Sequence, residues 1–347
     1  MHNYDLITSN EGFRSLENDW IKLENKTKPW VYQDYYFLES VYTSISPFEK
    51  LNIVIVAYKE DNVLKAILPL CIYRKKTLRI LAWLGSLNLI DHGEILFDAD
   101  CHITINDFID NSIKLIRENT KYEIIYFGKI LINASVYDHL NKNYNAVKFY
   151  KCGFIQFKSD FDSYLDELKI NRKNLKSDTL RQIKRISEAG NLQFEVIPKS
   201  NKDLTIQTIN ELINQRRSKY KNTFWATGEY NDVMVNLALN LPYSHLSCLK
   251  INEQIIAAHF GLIFNNTFTF CVPSYDSRFA KYSPGRLLIY FLIKHCFDSR
   301  ISYFDFGPGE ETYKYEWSNN IVEGRSFIGN SVLEKLIRVY TRLGGKI

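Results

Sequence analysis

The sequence predicts a mixed α/β (α+β) protein made of two tandem copies of one unit, each a mixed, mostly antiparallel sheet flanked by helices. Three observations lead there. At 347 residues, the chain is long enough for two domains of about 150 to 180 residues, each with its own core. Strand-like and helix-like stretches recur in the order β-β-β-α-β in both halves, as in a degenerate internal repeat. Hydrophobic residues make up 46% and charged residues 24%, an ordinary globular balance with neither low-complexity tracts nor long like-charge blocks.

In the first copy, "LNIVIVAYK", the turn "EDN", "VLKAILPLCIYR" and "TLRILAWLG" give three strands. "INDFIDNSIKLIRENT" gives a helix and "YEIIYFGKI" the closing strand. Between the copies, "LKINRKNLKSDTLRQIKRISEAGN" reads as a basic amphipathic helix. Leu175, Leu180, Ile183 and Ile186 share one stripe, Arg172, Lys173, Lys176, Arg181, Lys184 and Arg185 crowd the rest, and Gly190 suits a C-cap. The domain boundary is expected just before this helix, near Lys158 to Asp162, giving domains 1–158 and 159–347. In the second copy, "SHLSCLKI", "EQIIAAHFGLIF" and "TFTFCVPSYD" are strands joined at "INEQ" and "NN", followed by a helix from Gly285 to His295 and the strand "ISYFDFG". The copies differ between third strand and helix, where the first has "SLNLIDHGEILFDADC" and the second the basic turn "SRFAKYSPG".

The cysteines Cys71, Cys101, Cys152, Cys248, Cys271 and Cys296 are scattered, without a CxxC, and read as reduced, buried thiols of a cytoplasmic protein. No metal site is expected. The first twenty residues lack a basic segment followed by an apolar run, so no signal peptide is expected. "LLIYFLI" falls far short of a bilayer span, so no membrane span is expected either. A formal charge of +5 makes nucleic acid an unlikely partner of the whole protein and leaves anions to a local patch. Most of the 23 Tyr and 22 Phe read as core and sheet surface.

The local patch is the turn "RFAKYSPGRL". Ser283 is placed as an N-cap and Pro284 at the first helical position, and Gly285 leaves the backbone open to a ligand. Free amides of this turn, the positive helix end, and Arg278, Lys281 and Arg286 converge on one point suited to a phosphate or pyrophosphate. The alternative is a capped helix whose charges face water.

Three strands, a basic glycine turn, a helix and a strand resemble the acyl-CoA-binding core of the GNAT acyltransferase superfamily. Members carry an R-x-x-G-x-G/A-like turn whose amides hold the coenzyme A pyrophosphate. Here only Gly285 remains, and Ser-Pro stands where the earlier glycine would be. The doubled core, the basic helix, and "YDSRFAKYSPGRLL" with "FDFGPGEETYK" resemble the double-GNAT, FemAB-like, CelD/BcsL-type branch, whose first copy is vestigial. The resemblance implies acyl-CoA as co-substrate, held by Val272, Pro273 and Ser274 on the third strand together with Arg278, Lys281, Tyr282, Ser283, Gly285 and Arg286.

Acyl transfer to an amine then needs a base and a proton donor for the thiolate. Asp305 is the first choice for base, Glu310 stands next, and Tyr313 is the leading acid; the alternative makes Asp305 a cap over the glycine turn. Arg172, Lys173, Lys176, Arg216 and Arg217 would meet an anionic acceptor, with Tyr275 and Lys314 at the same mouth, and His259 is read either as bordering the acceptor cleft or as structural. Asp91 and His92 are equally open, at the cleft or in an ordinary loop. The acceptor expected within this branch is the amine of a nucleotide-linked amino sugar, for cell-surface glycan synthesis. The alternatives are a Fem-type aminoacyltransferase using aminoacyl-tRNA and a non-catalytic interaction protein.

Overall fold

The computed structural model describes residues 2–85, 89–158, 160–219 and 228–329. Two compact units divide the chain: Met1–Tyr150 with Glu323–Ile347, and Lys151–Val322. The chain thus leaves unit 1 at Tyr150, eight residues before the boundary expected from composition, and returns to it at Glu323.

Unit 1 opens with β1 (His2–Ile7), α1 (Asn10–Ser15), α2 (Glu17–Thr27) and α3 (Tyr35–Glu49). None of these was assigned from the sequence. Then follow β2 (Asn52–Glu60), β3 (Val63–Lys75), β4 (Leu78–Trp83), β5 (Leu96–Phe97), α4 (Ile105–Asn119), β6 (Ile124–Leu131), α5 (Tyr137–Asn143) and the first half of β7 (Asn145–Gln156). The repeated β-β-β-α-β unit is present as β2, β3, β4, α4 and β6. A capping box of Thr104 and Asp107 starts α4, whose Phe108, Ile109, Ile113 and Ile116 join Trp83, Phe127 and Phe327 in the core.

In unit 2 come α6 (Phe161–Glu167), α7 (Leu175–Ser187), β8 (Leu192–Val196), α8 (Lys202–Lys219), α9 (Gly228–Asn240), β9 (Ser244–Ile251), β10 (Gln254–Phe264), β11 (Thr267–Tyr275), α10 (Pro284–Asp298), β12 (Tyr303–Pro308) and α11 (Thr312–Trp317). The last described strand, β13 (Asn320–Gly329), pairs antiparallel with β6 through Gly324 to Gly329. The second half of β7 pairs antiparallel with β12.

The two units repeat one topology. In unit 1 the strand order is β1-β2-β3-β4-β6-β13, with β5 beside β3, and in unit 2 it is β8-β9-β10-β11-β12-β7. Each has one parallel pair, β4 with β6 and β11 with β12. Register in the long hairpins is set by two-residue turns with both residues at positive φ: Asp61-Asn62 at 48° and 65°, Asn252-Glu253 at 47° and 68°, and Asn265-Asn266 at 45° and 60°. Such turns match the twist of antiparallel strands, and Asn and Asp tolerate them better than most side chains.

The core of unit 2 joins Leu287, Leu288, Leu292 and Ile293 of α10 to Phe268, Phe304 and Phe306 of the sheet and to Tyr164 and Ile186. Each such side chain contributes roughly 1.5 to 3 kcal/mol on burial. Helix α7 buries Leu175, Thr179, Gln182 and Ile186. Leu180 is 44% exposed, so it is not on the buried stripe where the sequence reading put it. The buried row is spaced at four, three and four residues and therefore runs through Thr179 and Gln182 instead.

Candidate functional site

The site is built on the parallel pair of unit 2. Strands β11 and β12 pair at only three rungs, Thr267 with Tyr303, Phe268 with Phe304, and Thr269 with Asp305. Beyond these, β11 follows β10 as far as Tyr275, while β12 turns away and meets β7 through Pro308 and Cys152. A bulge between Phe260 and Gly261 of β10 leaves Cys271 as the extra residue on β11. Bulges bend a strand and re-aim the residues that follow. The two strands therefore splay from Phe270 and Phe306 onward. Those rings meet edge to face at 5.5 Å, and Tyr313 stands 6.5 Å from both.

The equivalent place in unit 1 is occupied by the chain itself. Gly93 donates its N–H to the Lys129 carbonyl at 3.0 Å, and a Cβ on Gly93 would lie 2.1 Å from Trp83 Nε1. Lys129 holds Asp91 at 2.5 Å. His92 is buried against Trp30 at 4.9 Å. Asp91 and His92 are thus parts of a plug.

At the open end of β11 one backbone acceptor and one side chain of the expected set are already engaged. Pro273 has no N–H, and its carbonyl accepts Arg216 Nη1 at 2.7 Å. Ser274 Oγ donates to Gln215 Oε1 at 2.8 Å, and Val272 is buried. Lys219 Nζ donates to the Tyr275 hydroxyl at 2.9 Å and sits 4.1 Å from its ring centre. The C-terminal turn of α8 is therefore fastened to the splayed strand. Sequence reading did not assign this helix, because Thr205 and Thr208 occupy core positions and blur its apolar face.

The basic turn departs from expectation in its details. Arg278 is locked in a two-pronged pair with Asp276 at 2.9 and 2.6 Å. Lys281 lies over the Tyr282 ring at 4.9 Å. Ser283 holds the N-cap position at φ 55°, but its side chain makes no capping bond. Instead its carbonyl accepts the N–H groups of Arg286 at 3.0 Å and Leu287 at 3.2 Å, so these amides point along the helix rather than outward. Gly285 does keep the approach open: a Cβ there would stand 3.3 Å from the Tyr275 ring. A left-handed serine costs about 1 to 3 kcal/mol, and such strain clusters at ligand sites.

Arg286 is half-buried and forms no hydrogen bond or ion pair among the described residues. Burial first, and then the Arg172 guanidinium, push its pKa below the usual arginine range. Arg172 itself pairs with Glu316 at 3.0 Å and Asp178 at 3.2 Å. Residues assigned from sequence to two different anions therefore share one electrostatic neighbourhood. Lys176 pairs with Asp162 and Asp166 at 3.0 and 3.3 Å. Lys173 is exposed without a partner among the described residues, and Arg217 is half-buried at the end of α8.

Asp305 is fully buried on the last rung before the splay, and its Oδ1 accepts the Gly307 N–H at 2.7 Å. Gly307 has φ 66°, so the carboxylate fixes a turn that glycine makes accessible. Glu310 is exposed on the following loop. Lys314 points inward, donating to the Pro308 carbonyl at 2.9 Å and meeting Glu311 at 3.3 Å, so it braces that loop.

His259 is fully enclosed, stacked on Phe270 at 4.4 Å and 12°. Its ring nitrogens have no hydrogen-bond partner among the described residues, nor do those of buried His245, whose centre lies 6.4 Å away. Burial drives both pKa values down, that of His245 to about 3. His295 of α10 stands 5.1 Å from His245. No group of His, Cys, Asp and Glu among the described residues has metal-binding geometry.

Residues 173–315 match the family model described as an acetyltransferase (GNAT) domain. The fold is similar to the crystal structure of FemX, with TM-score 0.67 and 11% identity over 97% of this chain and 100% of that one. It is also similar to the C-terminal domain of a putative lysylphosphatidylglycerol synthetase from Agrobacterium fabrum, with TM-score 0.61 and 10% identity over 96% and 97% of the two chains. L-PGS from Bacillus licheniformis gives TM-score 0.58 and 11% identity over 94% and 95%. No curated protein matches the chain in sequence. Among the described residues no helix is long and apolar enough to cross a membrane.

Proposed function

This chain carries a GNAT acetyltransferase domain within a doubled, FemX-like fold, and from that premise we propose that unit 2 is an N-acyltransferase using acyl-CoA. The observation that carries the reading is the splay of β11 from β12 after three rungs, with Gly285 beside Tyr275 at the end of β11 and, next in the chain, half-buried Arg286 without a hydrogen bond or ion pair among the described residues. A pantetheine arm laid between the strands would meet backbone groups that each strand no longer gives to the other. Its phosphates would supply the anion that a half-buried guanidinium lacks.

In this reading the amine attacks the thioester carbonyl directly, the C–N bond forms, and the C–S bond breaks as the tetrahedral intermediate collapses. Tyr313, packed against Phe270 and Phe306 on the two splayed strands, gives its proton to the leaving thiolate. Exposed Glu310 takes the proton of the attacking ammonium, directly or through water. Asp305 acts through the Gly307 turn that positions this loop. The acceptor is an amino sugar, with its nucleotide-linked form, for cell-surface glycan synthesis, as the finer proposal. Support for the nucleotide is reduced to exposed Lys173, because Arg172, Lys176 and Arg216 are committed to partners inside the unit.

A second reading has specific support. The likeness to FemX over 97% of the chain favours Fem-type transfer from aminoacyl-tRNA, with the exposed cations of α7 on the RNA. Release of CoA thiol from acetyl-CoA with an amino-sugar panel tests the first reading. A steep salt dependence with a tRNA requirement selects the second, because many phosphates would then be neutralised.

A further inference from the structure

Outside the splay, unit 2 has a polar groove of about 600 Å³ between α8 and the β9–β10 hairpin. Asp203, Gln207, Asn210 and Asn214 present one stripe of α8 to it, at spacings of four, three and four residues. Glu253 and Gln254 at the hairpin tip form the opposite wall. Asp203, Gln207, Asn214, Glu253 and Gln254 make no side-chain hydrogen bond or ion pair among the described residues. A groove wall of unengaged carboxamides and carboxylates offers paired donors and acceptors at short spacing.

The charge of the groove is one-sided. Asp203, Glu211 and Glu253 line it, and the single cation in its lining among the described residues, Arg278, is neutralised by Asp276. The groove also abuts the splayed strand. Asn214 lies two residues before Arg216, which holds the Pro273 carbonyl, and Asp276 donates its N–H to Ile256, next to the groove's Ile255.

We infer that this groove binds the acceptor as a polyhydroxylated amine, a free amino sugar in place of the nucleotide-linked form; the assignment to the acceptor rests on the N-acyltransfer reading above. Carboxamides and carboxylates pair with vicinal hydroxyls, which donate and accept at once. The surplus carboxylates attract the ammonium form in which an aliphatic amine arrives and repel a diphosphate.

The test titrates the full chain with glucosamine, glucose and UDP-glucosamine, followed by ligand-detected NMR, and in parallel with acetyl-CoA by calorimetry. Glucosamine binds, glucose binds about tenfold more weakly, and UDP-glucosamine binds no more tightly than glucosamine. Asp203→Lys combined with Glu253→Lys, both on exposed positions, weakens glucosamine at least about tenfold and leaves acetyl-CoA binding unchanged. Asn214→Ala weakens glucose and glucosamine alike. Unchanged glucosamine affinity in the double variant, tighter binding of the UDP form, or preference for a lysine-containing tripeptide overturns the inference. Acetyl-CoA binding without any sugar binding overturns the groove alone. Sugar binding without acetyl-CoA binding overturns the transferase reading and leaves the groove standing.

Discussion

Asp305 and Tyr313 show how residue types and residue environments divide the chemistry. Asp305 stood out in the sequence as a carboxylate at the end of a strand, and its burial and its bond to Gly307 appear only in the fold. Asp305→Asn retains an oxygen for the Gly307 N–H, so turnover should fall by less than about tenfold. Asp305→Ala leaves a buried N–H unpaired, at a cost of about 1 to 3 kcal/mol, and should melt measurably lower than the Asn variant. A loss of a hundredfold or more in the Asn variant, with acetyl-CoA affinity intact and the acidic limb of the pH profile altered, would instead make Asp305 the base. Tyr313→Phe keeps the ring contacts with Phe270 and Phe306 and removes the hydroxyl. Its expected effect is a drop of about a hundredfold in turnover with little change in KM, and equal effects on both would assign the hydroxyl to binding. Arg216 was legible as a cation but not as a ligand of Pro273, because that bond joins α8 to a strand 57 residues away.

At the scale of elements, the two splays have opposite fates. Gly93→Val places a side chain where a Cβ already meets Trp83 Nε1 at 2.1 Å, and overpacking of this kind costs about 1 to 3 kcal/mol. Thermal melting should record that loss with acetyl-CoA affinity unchanged, and a shared loss of both would show that unit 1 takes part in binding. Gly285→Val meets only the Tyr275 ring edge at 3.3 Å, so it should weaken acetyl-CoA while leaving the melting temperature within a few degrees of wild type. The hairpins and the β-β-β-α-β order were legible because alternation and Asn-rich turns are local signals. The plug was not, since "DHG" becomes a plug only once Gly93 finds Lys129 on β6. The affiliations of β7 and β13 were likewise invisible, because pairing partners distant in sequence leave no periodicity to read.

Across the whole molecule, the buried histidines set an acid limit on unit 2. The pKa values of His245, His259 and His295 are all depressed by burial. Below about pH 6.5 the unfolded chain takes up protons that the native imidazoles refuse, so stability falls with falling pH until the native pKa values are reached. Glu24 of unit 1, raised to about 8 by burial and Asp34, acts in the opposite sense over this range, since native Glu24 keeps a proton that the unfolded chain releases. Urea denaturation between pH 7 and pH 5 should show unit 2 losing stability, with His245→Phe flattening the slope by about one proton; a pH-independent midpoint for unit 2 would contradict the burial argument. One splay is plugged and the other open, so the central claim is one of stoichiometry. Isothermal titration of the full chain with acetyl-CoA should give one site per chain, lost when Gly285→Val and Arg286→Glu are combined. Two sites, no site, or wild-type affinity in that double variant would contradict the account.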